Sequence, residues 1–171
     1  MVRPIWCFLG GILLLGTAGS LRAQAPAADA APVLASVQRL FDAMARHDTA
    51  TARTLLLPGT RFTALPSDSA PARPRAQSDS AFLRMLATRP ERLLERMWAP
   101  AVQVQGAIAT VWAPYDFHID GRWSHCGIDT ITLLRTADGW QVAGLVYTVQ
   151  RRGCAPSPLG APPAGNTSPP G

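Results

Sequence analysis

The chain of 171 residues has the length of a single domain. Its 16 basic residues, all of them arginine, outnumber 11 acidic residues and give a net charge of +5 at pH 7. The arginines between residues 73 and 96 are interspersed with acidic residues, which is typical of a solvated face and argues against a nucleic-acid-binding surface.

The N-terminus has the pattern of a signal peptide. Arg3 precedes an uncharged stretch, Pro4 to Ser20, and Ala23-Gln24-Ala25 follows as a small-x-small cleavage site. The stretch is shorter than the ~20 apolar residues of a membrane-spanning helix, and an uncleaved anchor is the alternative. We expect residues 1–25 to be removed on export, which places the mature protein in the periplasm or outside the cell, without a membrane segment.

Two helices are predicted before residue 60. Apolar residues recur at spacings of three and four from Val33 to Met44, which predicts a helix with one apolar face. Asp48 is positioned to cap a second helix over residues 49–57, and Pro58-Gly59 would end it.

The patterns in the middle of the chain are weaker. Residues 61–65 fit a short strand, and residues 66–76, with three prolines, fit a loop. Ser78 is positioned to cap a third helix. Residues 90–98 are compatible with a helix or a strand, and only the family resemblance described below favours the strand.

The sequence is rich in β-forming residues from Val102 onward. Val102-Gln103-Val104 alternates, and Asp120-Gly121 and Asp138-Gly139 are two-residue hairpin signals. Pro114 predicts a bulge or an edge position within its strand. Three long strands in an antiparallel meander are therefore expected, over residues 107–119, 123–135 and 140–151.

Two cysteines, Cys126 and Cys154, remain after removal of the signal peptide. An even number in an oxidising compartment predicts a disulfide bond. The bond requires Gly153 to turn the chain back, because a disulfide spans Cα atoms no more than ~7 Å apart. Two free thiols are the alternative.

The last residues, 155–171, contain Pro, Gly, Ala and Ser and carry no charge. This composition predicts a disordered tail. The folded domain is therefore expected to span residues 26–154.

Two segments resemble the NTF2-like superfamily, which includes ketosteroid isomerase, scytalone dehydratase and the SnoaL-type polyketide cyclases. The first, residues 40–62, reads LFDAMARHDTATARTLLLPGTRF, and the second runs from Val111 to Cys154. In the second segment VWAPYDFHIDG, SHCGIDT and DGWQVAGLVYTVQRRGC are similar to the lumazine-binding subgroup, whose name is no evidence of a ligand.

The resemblance implies an α+β cone, in which N-terminal helices pack on a strongly curved antiparallel sheet around a pocket on its concave face. It also implies a homodimer formed through the sheet. The function is left open, because this fold supports enzymes, binding proteins and assembly modules.

Two-residue turns in both hairpins would set the register of the last three strands. Asp116 would then lie opposite His125, and Asp129 opposite Thr148. One face would collect Trp112, Asp116, His118, Trp123, His125, Asp129, Thr148 and Arg152.

A histidine beside a carboxylate in a partly apolar pocket can act as a general base near neutral pH. Asp116 would orient His125, or Asp129 would take a proton directly, so these three residues are the catalytic candidates. The alternative is structural, because Asp opposite His is an ordinary cross-strand pair. The candidate ligand-binding residues are Trp112, His118, Trp123 and Thr148.

The histidines and aspartates on this face are suitable metal ligands, but their spacing matches no recognised pattern, and no metal is predicted. The sequence also has no Gly-rich phosphate loop and no Cys-x-x-Cys, and no cofactor is predicted.

Three functions are open at this point. The first is a cell-envelope protein that binds a small apolar or aromatic molecule. The second is an isomerase, dehydratase or cyclase with Asp129 or His125 as the general base. The third is a homodimeric interaction module without a ligand.

Overall fold

A computed structural model describes residues 27–68 and 71–162. The predicted signal peptide, residues 1–25, and the end of the predicted tail, residues 163–171, lie outside the described residues. Within the described ranges no helix combines the length and apolar character needed to cross a membrane.

The described ranges contain three helices and seven strands. The helices are α1 (Ala27–Ala45), α2 (Thr49–Thr54) and α3 (Asp79–Thr88). The strands are β1 (Leu56–Pro66), β2 (Arg75–Ser78), β3 (Leu93–Met97), β4 (Ala101–Gln105), β5 (Ile108–Ile119), β6 (Arg122–Thr136) and β7 (Gly139–Val149).

All seven strands join one sheet, in the order β2-β1-β7-β6-β5-β3, with β4 also pairing β5. The sheet curls without closing and the helices pack on it, which confirms the predicted α+β cone. It is mixed, however, because β1 runs parallel to β7. The other strand pairs are antiparallel, as predicted, but the parallel pair was not predicted, since the pairing of β1 with a strand some 80 residues later leaves no local pattern.

The first helix carries the predicted apolar face. Val33, Val37, Leu40, Phe41 and Met44 are all buried, and they belong to the same hydrophobic core as the inner side chains of the sheet. This helix contacts β3, β4 and β7 and so covers the concave side of the cone.

The second helix begins as predicted and ends early. The Asp48 side chain accepts a hydrogen bond from the Thr51 amide at 2.9 Å, which confirms the cap. The helix ends at Thr54, because Leu56 already pairs with Val142 of β7. The predicted helix over 49–57 was therefore too long, and the short strand predicted over 61–65 is part of the longer β1.

The expectations for the middle of the chain are largely confirmed. Ser78 caps α3 by accepting from the Ala81 amide at 3.2 Å. The ambiguous segment 90–98 contains strand β3, and the loop predicted over 66–76 gives way to β2 at Arg75.

The first hairpin has the predicted two-residue turn. Ile119 pairs with Arg122, and Asp120 and Gly121 both have positive φ, 50° and 74°. Pro114 lies between the part of β5 that pairs with β4 and the part that pairs with β3, and neither of these strands pairs with it. It therefore has the edge position that the sequence predicts.

The second hairpin differs from the prediction. Thr136 pairs with Gly139, so the turn residues are Ala137 and Asp138. The Asp138 amide donates to Thr136 Oγ1 at 3.1 Å, and Gly139, with φ of 101°, follows the turn. The turn therefore still has two residues, but it lies one residue earlier than predicted, with the positive-φ glycine directly after it.

The predicted disulfide bond between Cys126 and Cys154 is present, with Cα atoms 6.2 Å apart. Gly153 adopts a φ of 68°, which turns the chain back toward β6. After the bond, residues 155–162 lie against the sheet, where the Gly160 carbonyl accepts from Arg96 at 3.0 Å. Disorder of the rest of the tail stays a prediction.

Replacing both Cys126 and Cys154 with serine should lower the free energy of unfolding by about 2–4 kcal/mol, because the bond restricts the unfolded chain. Urea unfolding of the variant and of the oxidised wild type measures the difference. An unchanged midpoint would show that the bond does not form in solution.

Candidate functional site

An extra residue in β6 decides which of its side chains lie on the concave side of the sheet. Near the turn His118 pairs with Trp123, but Phe117 pairs with His125, so Ser124 is inserted as a bulge. Beyond it Asp116 pairs with Cys126. The predicted pairing of Asp116 with His125 was therefore wrong, because a one-residue bulge shifts every later pair.

A second shift affects β6 and β7. Leu133 pairs with Val142, but Thr132 pairs with Gly144, so Ala143 is the extra residue. Asp129 consequently pairs with Tyr147 and not with Thr148, as the sequence predicted.

The two shifts divide the predicted single face into two. His125 lies on the concave side and lines the cavity, and Asp129 lies fully buried on the same side. The register places the remaining candidates on the convex side. They are Trp112, Asp116, His118, Trp123 and Thr148.

The convex side holds a buried polar cluster. The Arg96 guanidinium forms two hydrogen bonds to Asp116, at 2.8 and 2.6 Å. His118 Nε2 lies 3.3 Å from an Asp116 oxygen, and both residues are almost fully buried. The cluster ties β3 to β5 and lies under residues 157–160, so its contacts are structural.

Burial would raise the pKa of Asp116, but hydrogen bonds from Arg96 and Ser157 outweigh it and hold the pKa below its usual value. The Asp116 carboxylate is thus ionised at neutral pH and engaged by Arg96. It is separated from His125 by the thickness of the sheet, so it does not orient that ring.

The candidate ligand-binding residues also lie away from the cavity. Trp112 and Trp123 are 49% and 48% exposed on the convex side. Thr148 Oγ1 accepts a hydrogen bond from the Ile128 amide at 2.9 Å, which secures the β6–β7 pairing. None of these side chains lines the cavity described below.

A cavity of about 1050 Å³ opens between the helices and the concave side of the sheet. Its size suits a small organic molecule. The wall is mostly apolar and aromatic, and includes Leu40, Phe41, Met44, Phe62, Phe82, Met85, Leu93, Phe117, Leu145 and Tyr147.

Two acidic side chains meet at the floor of the cavity. Glu95 of β3 lines the cavity, and Asp129 of β6 lies behind it with no exposed surface. Within the described residues both Asp129 oxygens are buried and lack a hydrogen-bond partner, and the two carboxyl groups lie close enough for the Asp129 charge to raise the pKa of Glu95. Two neighbouring carboxyl groups can form a hydrogen bond only while at least one of them is protonated.

Burial is the main cause of the unusual protonation of this carboxyl pair, Glu95 and Asp129. Burial, together with the neighbouring Asp129 charge, raises the pKa of Glu95 well above its usual value. Burial also raises the pKa of Asp129 to about 7, although the neighbouring Glu95 opposes the rise. Burial therefore favours a proton on this pair at pH values at which exposed acids are ionised.

Two tyrosines adjoin the carboxyl pair. Burial and the two nearby acids raise the pKa of both Tyr115 and Tyr147, so both hydroxyls stay protonated. The Tyr115 hydroxyl donates to the Thr148 carbonyl at 2.7 Å. Gly127 leaves the space for this ring, because a Cβ there would collide with Thr148 and with Tyr115.

His125 lies nearer the mouth of the cavity. Its ring stacks on Phe117 with centroids 4.8 Å apart, and its Nδ1 lies 3.0 Å from Ser124 Oγ. Burial and the nearby Arg151 guanidinium lower the pKa of His125 to about 4. The ring is thus neutral at pH 7 and offers a hydrogen bond rather than a charge.

Glu95 is the functional candidate that the sequence reasoning missed. It falls in the segment 90–98, whose secondary structure was ambiguous, and no motif surrounds it. The available signal is an acid between apolar residues of a short strand, with Leu93 and Met97 sharing its face.

Within residues 27–68 and 71–162, no group of three or more His, Cys, Asp or Glu side chains is arranged to hold a metal ion. The histidines and aspartates that the predicted register placed together are divided between the two sides of the sheet.

Solved structures share this architecture. A protein from Streptomyces avermitilis, described as a proposed dehydratase of the NTF2-like family, has 18% identity and a TM-score of 0.59, covering 73% of this chain and 98% of that one. An NTF2-like protein from Cytophaga hutchinsonii has 13% identity and a TM-score of 0.58, covering 73% and 99%.

This chain has the NTF2-like fold. A third NTF2-like protein, from Novosphingobium aromaticivorans and described as having a cystatin-like fold, has 11% identity and a TM-score of 0.58, covering 74% of this chain and 84% of that one. No protein-family model and no curated protein matches the sequence. The NTF2-like resemblance is confirmed at the level of the fold, and the lumazine-binding subgroup is not specifically supported.

The raised pKa of Asp129 predicts a pH-dependent stability. A carboxyl group whose pKa rises on folding binds its proton more tightly in the folded state, so stability falls as pH rises from about 4 to about 7. In the wild type the free energy of unfolding should fall by about 1–4 kcal/mol between pH 5 and pH 8, and Asp129→Asn should remove this fall. Urea unfolding at both pH values measures it.

Asp138→Asn, in the exposed turn, is the matched control. If the free energy of unfolding of the wild type and of both variants changed equally between pH 5 and pH 8, the carboxyl pair would not retain a proton in the folded protein.

Proposed function

We propose that this protein binds a small, largely apolar or aromatic molecule in the cavity of its NTF2-like cone. The observation that carries the proposal is the open cavity of about 1050 Å³, whose wall is apolar and aromatic and whose floor carries Glu95. A concave apolar wall with a few convergent polar groups is the usual form of a small-molecule site.

The polar groups of the cavity define what the molecule must offer. Glu95, with Asp129 behind it, offers a carboxyl group at the floor, and neutral His125 offers a ring nitrogen. A ligand with a carbonyl or hydroxyl group on an apolar skeleton would satisfy these groups and fill the remaining volume.

Export of the protein is part of the proposal. The N-terminal sequence pattern and the Cys126–Cys154 disulfide bond both support an oxidising compartment such as the periplasm. Homodimerisation stays a prediction, supported by the exposed Trp112 and Val146 on the convex side of the sheet.

A neutral aromatic probe tests the binding proposal. N-phenyl-1-naphthylamine should bind with a rise in fluorescence, and Ala64→Trp should weaken binding more than about tenfold, because the indole would occupy the cavity that Ala64 lines. Fluorescence titration gives both dissociation constants.

Val146→Trp places the same side chain on the convex side, where Val146 is 53% exposed, and should leave binding unchanged. The proposal would be contradicted if both variants lost affinity for the probe equally, or if the wild type did not bind the probe.

A second candidate is an enzyme that transfers a proton, of isomerase, dehydratase or cyclase type. The carboxyl pair favours it, because the pKa of Asp129 is raised to about 7 and general acid–base catalysis is most efficient near the working pH. Asp129 is enclosed, so Glu95 would face the substrate and Asp129 would set its protonation. His125, with its pKa lowered to about 4, is the weaker base.

Proton transfer can be tested with 2-tetralone, an aromatic ketone with acidic C–H groups beside the carbonyl. The protein should accelerate exchange of these protons in D₂O, and Glu95→Gln should reduce the acceleration at least about 100-fold. Proton NMR follows the exchange. Asp138→Asn, which removes a carboxylate in the exposed turn between β6 and β7, should change it little. An equal effect of both variants would exclude Glu95 as the reacting group.

A further inference from the structure

The mouth of the cavity carries a set of arginines that the proposed function has not used. Four of them line the cavity and are exposed, and we call them the arginine rim. The rim consists of Arg73, Arg75, Arg151 and Arg152. A fifth arginine at the cavity, Arg89, is paired with Glu91 at 3.2 Å.

The sheet brings the arginine rim together from distant parts of the chain. Ala64 of β1 pairs with Arg75 on one side and with Tyr147 on the other. The chain before Arg75 and the chain after β7 therefore flank the same end of β1. Arg151 is fixed there, because its backbone amide donates to Asp68 at 2.6 Å.

The arginine rim is not neutralised by the protein. Among residues 27–68 and 71–162, none of its four guanidinium groups forms an ion pair. Asp68 is the one acid of that part of the chain that lines the cavity near the rim, and one of its oxygens is engaged by the Arg151 amide. Several like charges beside one acid leave a positive potential at the mouth.

Arg151 also acts on the cavity itself. Its positive charge lowers the pKa of the His125 ring and opposes the rise in the pKa of Tyr115, and both side chains line the cavity. A negative group bound at the mouth would therefore meet both the arginine rim and the neutral His125 ring.

The floor of the cavity has the opposite preference. Glu95 and Asp129 are both acids, so any charge there is negative and would repel an anion. The charges orient a ligand, with its anionic group at the mouth and its apolar body toward the floor.

We propose that the ligand is an organic anion, with an apolar or aromatic body in the cavity and a carboxylate, sulfonate or phosphate group held by the arginine rim. This inference rests on the proposed function and specifies the class of molecule that the same cavity takes. Guanidinium groups suit such anions because their planar donor pairs match two oxygens at once.

Two probes that share one skeleton separate the two proposals. N-phenyl-1-naphthylamine is neutral, and 1-anilinonaphthalene-8-sulfonate carries a sulfonate on the same ring system. The purified wild type should bind the sulfonate probe about tenfold more tightly at low salt. The double variant Arg73→Gln/Arg151→Gln should lose this preference and keep its affinity for the neutral probe within about twofold.

A second double variant, Arg39→Gln/Arg84→Gln, removes the same charge from exposed helix positions that do not line the cavity. It should keep the preference for the sulfonate probe. In the wild type, about 0.5 M NaCl should reduce this preference, because salt screens exposed charges. If the wild type bound both probes equally, or both double variants lost the preference equally, the inference would be overturned while cavity binding stood. Failure of the wild type to bind either probe would overturn both proposals.

Discussion

The one-residue bulge in β6 is the constraint on which the arrangement of the cavity depends. Inserting Ser124 turns His125 inward beside Phe117 and sets the later pairs so that Asp129 faces the core. Asp116 and His118 of β5 lie on the other side of the sheet, where Arg96 pairs with the Asp116 carboxylate. Without the bulge, the polar residues of β5 and β6 would share one face, as the simple register implies. The bulge therefore separates a structural polar cluster from a functional one.

The cavity has three parts that differ in polarity: the wall, the floor and the mouth. Its apolar wall provides a driving force for binding. Its floor holds two acids whose pKa values are raised by burial, since a buried unpaired charge is costly and the protonated form avoids it. Its mouth carries exposed arginines that form no ion pair with the part of the chain that the structure describes, and charges in contact with water cost little. This gradient, from the acidic floor to the positive rim, gives the cavity a polarity along its axis and thus a preferred orientation for a ligand.

Local features of the fold were predictable from the sequence, and long-range features were not. The apolar face of α1, the caps at Asp48 and Ser78, and the turn at Asp120-Gly121 follow from spacing and backbone preference within a few residues. The bulge at Ser124 has no such marker, because any residue can be inserted there. Five of the seven predicted site residues lie away from the cavity as a consequence of this bulge and of the shift at Ala143. The parallel pairing of β1 with β7 and the meeting of Glu95 with Asp129 join residues far apart in the chain, so no local pattern reveals them.

The protonation of the carboxyl pair is the central claim, and NMR titration of the side-chain carboxyl carbons tests it most directly. The spectra would be recorded from pH 3 to pH 9 on the wild type, with Glu95→Gln and Asp129→Asn used to assign the two signals. We expect two carboxyl groups to titrate far above the usual range for acids of about 4. Asp129→Asn should lower the pKa of Glu95, because the Asp129 charge helps to raise it, whereas Glu95→Gln should leave the pKa of Asp129 raised, because burial is its main cause. Titration of every carboxyl group near its usual value would contradict the account.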